Sequence, residues 1–83
     1  MPRREYVTIR LLILQALQKK PSSVNEVADS TRINWRTVDK HIKILHAKAL
    51  VSALYKGTRL KVFGITPLGE QILEQPLLQE VLG

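Results

Sequence analysis

The fold is decided by the stretch Asn34-Trp35-Arg36-Thr37-Val38-Asp39-Lys40-His41-Ile42-Lys43-Ile44-Leu45. Apolar residues recur at i, i+4, i+7 and i+11 along and just beyond it, which is one face of an α-helix: Val38, Ile42, Leu45 and Ala49. Asn34 is a good N-cap residue. We therefore predict a helix that begins after Asn34 and turns this apolar stripe toward a core.

A second, short helix is predicted immediately upstream. Ser23-Val24-Asn25-Glu26 matches a capping box, in which the serine hydroxyl and the glutamate carboxylate satisfy backbone amides at a helix start. The helix should end near Ser30 or Thr31. Only three or four residues then separate it from the helix after Asn34, so the two helices form a helix-turn-helix.

Downstream of Leu50 the pattern changes to a period of two. Two short β-rich runs flank Gly57-Thr58 and predict an antiparallel hairpin, with Arg59 opening the second run. Its tip presents basic side chains, which suit contact with phosphate better than packing: Lys56, Arg59 and Lys61.

The chain is expected to end in a further helix. Thr66 is placed as its N-cap and Pro67 as its first residue. Its apolar face should contain Leu68, Ile72 and Leu73. Pro76 ends or kinks this helix, and a short amphipathic tail follows.

The first helix is predicted over residues 6–18, because Lys19-Lys20 close it and Pro21 prevents its continuation. It carries too many apolar residues for one stripe of a surface helix. Two explanations stay open: a partner subunit covers a second face, or a monomer core encloses the helix tightly.

These elements predict one α+β domain, mainly α, over residues 1–83: three helices, a β-hairpin and a C-terminal helix. The chain has no cysteine, so disulfides and thiolate metal sites are excluded. No signal peptide is apparent, and the apolar run 11–14 is too short to span a bilayer, which needs about 20 residues. We expect a soluble, cytoplasmic protein.

The charge of the chain is concentrated in its centre. The chain has a net charge of +6. Residues 32–61 alone carry +7, with Asp39 as their single acid. Residues 1–31 carry +2 and residues 62–83 carry −3. A basic centre beside an acidic end is the pattern expected of a nucleic-acid-binding surface.

The order of elements resembles the winged helix-turn-helix transcription regulators. The stretch 34–45 is similar to their recognition helix, "S-x-x-T-V-x-x-H-L-x-x-L", and Ile65-Thr66-Pro67-Leu68-Gly69-Glu70-Gln71-Ile72-Leu73 is similar to the "L-T-P-L-G-E-x-L-L" that follows the wing in ArsR-, MarR- and PadR-like members. The resemblance implies a homodimeric, sequence-specific regulator that binds a palindromic operator. From their apolar and acidic residues, we expect the N- and C-terminal helices to hold the two copies together. The chain departs from the family pattern at two positions, with Arg32 and Ala49 where glycine is usual.

In this architecture the recognition helix enters the major groove of duplex DNA and the hairpin, or wing, follows the backbone or the minor groove. The predicted contacts on the recognition helix are Asn34, Trp35, Arg36, Thr37, Lys40 and Lys43. Those on the wing are Lys56, Arg59 and Lys61. Arg36 is the candidate base reader, because arginine can bond bidentately to guanine, whereas the lysines are expected on phosphates.

Several of these residues have a second interpretation. Asn34 fits a cap better than a base contact. Trp35 can stack on sugar-phosphate or pack against Ile33 and the second helix. Asp39 can accept from cytosine or pair with Arg36 or Lys43. His41 and His46 do not share a helix face, so no metal site is predicted.

Three other function classes compete with a sequence-specific regulator. An enzyme is disfavoured, because the chain has no nucleophile–base constellation and no Gly-rich phosphate loop. A winged helix that mediates protein interaction should present an apolar recognition surface rather than a cationic one. Sequence-independent, chromatin-type DNA binding stays open. No cofactor and no small-molecule effector are indicated.

Overall fold

Residues 3–83, which a computed structural model describes with side chains from Glu5 onward, form four α-helices, one 3-10 helix and a β-hairpin. The elements in chain order are α1 (Arg3–Lys19), α2 (Val24–Thr31), α3 (Trp35–Ala47), β1 (Val51–Lys56), β2 (Lys61–Ile65), α4 (Pro67–Glu74) and the C-terminal 3-10 helix (Pro76–Leu82). The predicted α+β, mainly α winged helix-turn-helix is confirmed. Helix α1 is longer than the predicted 6–18.

Side-chain caps fix the starts of three helices at the predicted residues. The Ser23 backbone amide donates to Glu26 Oε1 at 2.9 Å, and Glu26 N donates to Ser23 Oγ at 3.2 Å, so the capping box is complete. Asn34 Oδ1 accepts from Arg36 N at 2.8 Å at the start of α3. Thr66 Oγ1 accepts from Gly69 N at 3.1 Å at the start of α4. Each such cap stabilises its helix by about 1 kcal/mol.

The two departures from the family pattern coincide with two left-handed backbone positions. Arg32, in the turn between α2 and α3, has φ 62°, and Ala49, after α3, also has φ 62°. The prediction that Ala49 continues the core stripe of α3 is wrong: the helix ends at Ala47, and Ala49 is exposed. The chain reverses its helical twist there so that Leu50 N can bond Leu45 O at 2.9 Å.

The hairpin contains a β-bulge at Leu54. Ala53 pairs with Phe63, whereas Tyr55 pairs with Val62, so one extra residue of β1 stands between them. The predicted period of two therefore breaks at Leu54. Arg59 also differs from its prediction, because β2 begins at Lys61 and leaves Arg59 in the connecting turn.

The hairpin is attached to the rest of the domain by its second strand. Ser22, between α1 and α2, exchanges two backbone hydrogen bonds with Phe63, at 3.0 and 2.8 Å. This short bridge adds a third strand position beside β2. The position of the wing is thus tied to the loop that precedes the helix-turn-helix.

The start of α4 is hydrogen-bonded to the turn between α3 and β1. Thr66 Oγ1 donates to Ala49 O at 2.7 Å, and Thr66 N donates to Leu50 O at 3.1 Å. A Cβ atom on Gly69 would lie 2.3 Å from Leu50 O, which explains the glycine at this position. Ile72 is buried as predicted, but Leu68 is 44% exposed and does not belong to the buried face of α4.

The core is centred on α1. Ile13, Leu14 and Leu17 are almost completely buried, and α1 contacts α2, α3, α4, β2 and the 3-10 helix. The remaining buried apolar residues come from all the other elements except β2: Val27, Val38, Ile42, Leu45, Leu50, Val51, Ile72 and Leu82. The apolar surplus of α1 is therefore largely enclosed within one chain.

Candidate nucleic-acid interface

A basic stripe runs along the exposed side of α3. Arg36, Lys40 and Lys43 are spaced at i, i+4 and i+7 and are all exposed. Thr37 beside them is half-buried, and Asn34 is exposed at the helix start. Because Val38, Ile42 and Leu45 turn the opposite face into the core, the helix presents this stripe outward.

Trp35 and Arg36 form a stacked pair at the start of α3. The Arg36 guanidinium carbon lies 5.6 Å from the centre of the Trp35 ring, and Trp35 is 53% exposed. The ring therefore stays accessible to a ligand. A guanidinium stacked on an aromatic face loses less freedom when it forms hydrogen bonds, so Trp35 orients Arg36.

The acid within this stripe has a partner. Asp39 Oδ2 lies 3.0 Å from Lys43 Nζ, one turn further along α3. Of the two partners within the helix that were considered for Asp39, Arg36 and Lys43, the structure shows the pair with Lys43. An exposed pair of this kind contributes about 0.3–0.5 kcal/mol. Because the pair is weak, Lys43 can leave the Asp39 carboxylate and bind a phosphate instead.

The wing and α3 enclose a groove of about 350 Å³, which we call the α3–wing groove. It is lined by Asp39, Ile42, Lys43, His46, Ala53, Lys56, Lys61 and Phe63. The groove brings Lys43 of the recognition helix together with Lys56 and Lys61 of the wing. Three of the predicted contacts thus share one cationic channel.

Arg59 lies on the other side of the wing. A second groove, of about 210 Å³, separates the wing tip from the start of α2 and is lined by residues 23–25 and 57–61. Arg59 lines this groove and not the α3–wing groove, while Lys61 lines both. The predicted wing residues therefore face two different surfaces.

A buried arginine contacts α3 on the side opposite to the basic stripe. Arg10 of α1 is only 6% exposed; its Nε donates to His41 Nδ1 at 3.0 Å, and its guanidinium also donates to the carbonyl oxygen of Leu82. The Tyr6 ring lies 5.3 Å from the His41 ring, and Lys40 Nζ lies 5.6 Å from the Tyr6 centre. Arg10 thus connects α1, the recognition helix and the C-terminal segment.

His41 is a packed side chain rather than a phosphate contact. It is 1% exposed. Burial, with the positive charges of Arg10 and Lys40, lowers the pKa of His41 below its ordinary value. The imidazole is therefore neutral, as acceptance of the Arg10 hydrogen bond requires.

Comparison with known proteins matches residues 8–53 to the model of the bacterial regulatory proteins of the arsR family. This segment contains most of α1, all of α2 and α3, and the start of the wing. The chain belongs to the arsR family. The members of this family are DNA-binding regulators, and the cationic side of α3 beside a basic wing agrees with that role. No curated protein sequence matches the chain.

Two solved structures resemble this arsR-family chain. One is the S. aureus MepR–DNA complex, with TM-score 0.67 and 23% identity over 92% of this chain. The other is a MepR mutant from a multidrug-resistant S. aureus clinical isolate, with TM-score 0.64 and 22% identity over 94% of this chain. This chain spans 63% and 62% of their lengths. At 23% and 22% identity, the likeness shows the fold alone.

Sequence reasoning missed three features of this part of the molecule. Arg10 and Tyr6 looked like ordinary residues of an apolar helix, and no local pattern signals that they meet α3. His46 was considered only as a metal ligand. The wing also exposes Tyr55 and Leu60 among its basic residues.

Within residues 3–83, no helix has the length and hydropathy required to cross a membrane.

Proposed function

We propose that this arsR-family chain binds duplex DNA with α3 in the major groove and the wing on the backbone or in the minor groove. The observation that carries the proposal is the exposed stripe Arg36, Lys40 and Lys43, which continues into Lys56 and Lys61 across the α3–wing groove. Phosphate contacts from both elements would fix the orientation of α3 on the duplex. Arg59 would contact a phosphate on the far side of the wing.

Titration of a labelled duplex at increasing salt tests this proposal. Neutralising one phosphate changes the slope of log K against log salt by about −0.9. With Lys40, Lys43, Lys56, Arg59 and Lys61 on phosphates, the expected slope is roughly −4.5 per subunit. A slope near zero would show that phosphate neutralisation does not drive binding.

Arg36 is proposed as the base reader, with Trp35 holding its guanidinium. Arg36→Ala should cost about 1–3 kcal/mol on the preferred sequence and little on random duplex. Lys40→Ala is the matched control, since it lies one turn away on the same stripe and should weaken binding to all sequences equally. Equal loss for both variants on both duplexes would make Arg36 a phosphate contact and favour sequence-independent binding.

The operator-binding species is proposed to be a homodimer on a palindromic site, acting in the cytoplasm on the nucleoid. Beyond the family resemblance, its support is an apolar surface at the C-terminal end of the domain. Leu77 is 90% exposed, and Leu78 and Val81 are also accessible. A second copy of the chain would cover them.

Sedimentation at micromolar concentration measures this assembly. The chain should sediment at twice its 9.4 kDa mass. Leu77→Glu should convert the dimer to a monomer, because it places a charge on the apolar surface that a second copy would cover. The monomer should stay folded, because the Leu77 side chain contributes almost nothing to the core of one chain. Leu60→Glu, which places the same charge on the wing, should leave the dimer intact. A monomeric wild-type protein would contradict the proposal.

A further inference from the structure

The α3–wing groove contains a titratable group that the proposed function does not use. His46 is exposed in the last turn of α3 and lines the groove. It follows Asp39 and Lys43 at i+7 and i+3, so the three side chains lie along one side of the helix. His46 is therefore placed where a phosphate held by Lys43 would pass.

The bulge at Leu54 determines which wing residues face His46. In a regular strand Lys56 would lie on the same face as Leu54, opposite to Ala53. The extra residue shifts this alternation, so Lys56 lines the groove together with Ala53. Its partner Lys61 lines the groove from β2. The bulge thus turns Lys56 into the α3–wing groove.

The charged and titratable groups that face His46 across this groove are Asp39, Lys43, Lys56 and Lys61. Asp39 is paired with Lys43, so the surrounding charge is positive overall. A bound phosphate would lower this net positive charge and place a negative charge beside the imidazole. An imidazole is the side chain whose proton occupancy responds to such a change near neutral pH.

We propose that DNA binding is coupled to proton uptake at His46, whose imidazolium then contacts a phosphate between the recognition helix and the wing. This inference rests on the proposed function, because it requires the DNA backbone in the α3–wing groove. A fraction of a proton is taken from solvent for each subunit bound, because part of the free protein already carries it. The DNA affinity of the chain therefore increases as the pH falls.

The chain has only two histidines, which makes the coupling measurable. His41 is buried against Arg10 and does not line the groove. Between about pH 8 and pH 6, wild-type affinity should rise by about two- to fivefold, the range for one exposed ion pair. The salt slope should be steeper by about 0.9 per subunit at the lower pH.

Two substitutions at this exposed position isolate the effect. His46→Gln should bind DNA with little change between the two pH values. His46→Lys carries a permanent charge and should bind at about pH 8 as tightly as the wild type does at about pH 6. His41→Gln should retain the dependence on pH.

Wild-type binding that does not change with pH, or a His46→Gln variant with the wild-type dependence, would overturn the inference and leave the proposed function standing. Absence of duplex binding by the wild type at both pH values would overturn the proposed function, and the inference with it.

Discussion

Ala49→Gly should stabilise the domain, because Ala49 occupies a left-handed backbone position with φ 62°. An L-residue with a Cβ atom pays about 1–2 kcal/mol for this conformation. Glycine removes this cost, but it loses about 0.4–1 kcal/mol more in chain entropy on folding. The net gain is about 0.5–1 kcal/mol, which for a domain of this size raises Tm by about 2–8 °C.

The hydrogen bonds around Ala49 maintain the conformation in the variant. Ala49 N donates to His46 O at 3.0 Å, and Thr66 Oγ1 donates to Ala49 O, so substitution at Cβ removes no bond. Thermal unfolding followed by circular dichroism gives Tm. Ala47→Gly is the matched control, since it lies in α3 and should lose up to about 1 kcal/mol. Equal destabilisation by both substitutions would refute the left-handed geometry at residue 49.

Three further predictions concern the supports of the interface. Arg32→Gly relieves the same backbone strain in the turn before α3 and should raise Tm by a similar amount, measured in the same assay. Gly69→Ala should destabilise by about 1–3 kcal/mol in denaturant titration, despite the better helix propensity of alanine, because its Cβ would meet Leu50 O. Because the pKa of His41 is lowered by folding, the unfolded chain binds more protons below about pH 6.5; stability should fall from there toward the lowered pKa, and His41→Gln should lose this component.

The parts of the fold that could be predicted are those encoded by neighbouring residues. Ser23 with Glu26, Asn34, and Thr66 with Pro67 define helix starts through local hydrogen bonds, and all three starts are confirmed. The apolar stripe of α3 gave its buried face in the same way. Ala49 was misplaced because periodicity does not detect a change to left-handed φ when glycine is absent.

The candidate interface was predictable as a set of side chains but not as an arrangement. Exposure of Arg36, Lys40 and Lys43 follows from the position of the core stripe on α3. The bulge at Leu54 has no sequence signal, and it decides which face carries Lys56. The contact between Arg10 and His41 joins residues 31 positions apart, and only the packing of α1 against α3 creates it.

Trp35 offers the most direct test of the central claim, because it is the only tryptophan of the chain and lies at the start of the recognition helix. Its half-exposed ring should be accessible to acrylamide in the free protein. Titration with duplex DNA should protect it from quenching, with the midpoint that anisotropy of the labelled duplex gives. Saturating anisotropy with unchanged quenching of Trp35 would contradict entry of α3 into the major groove.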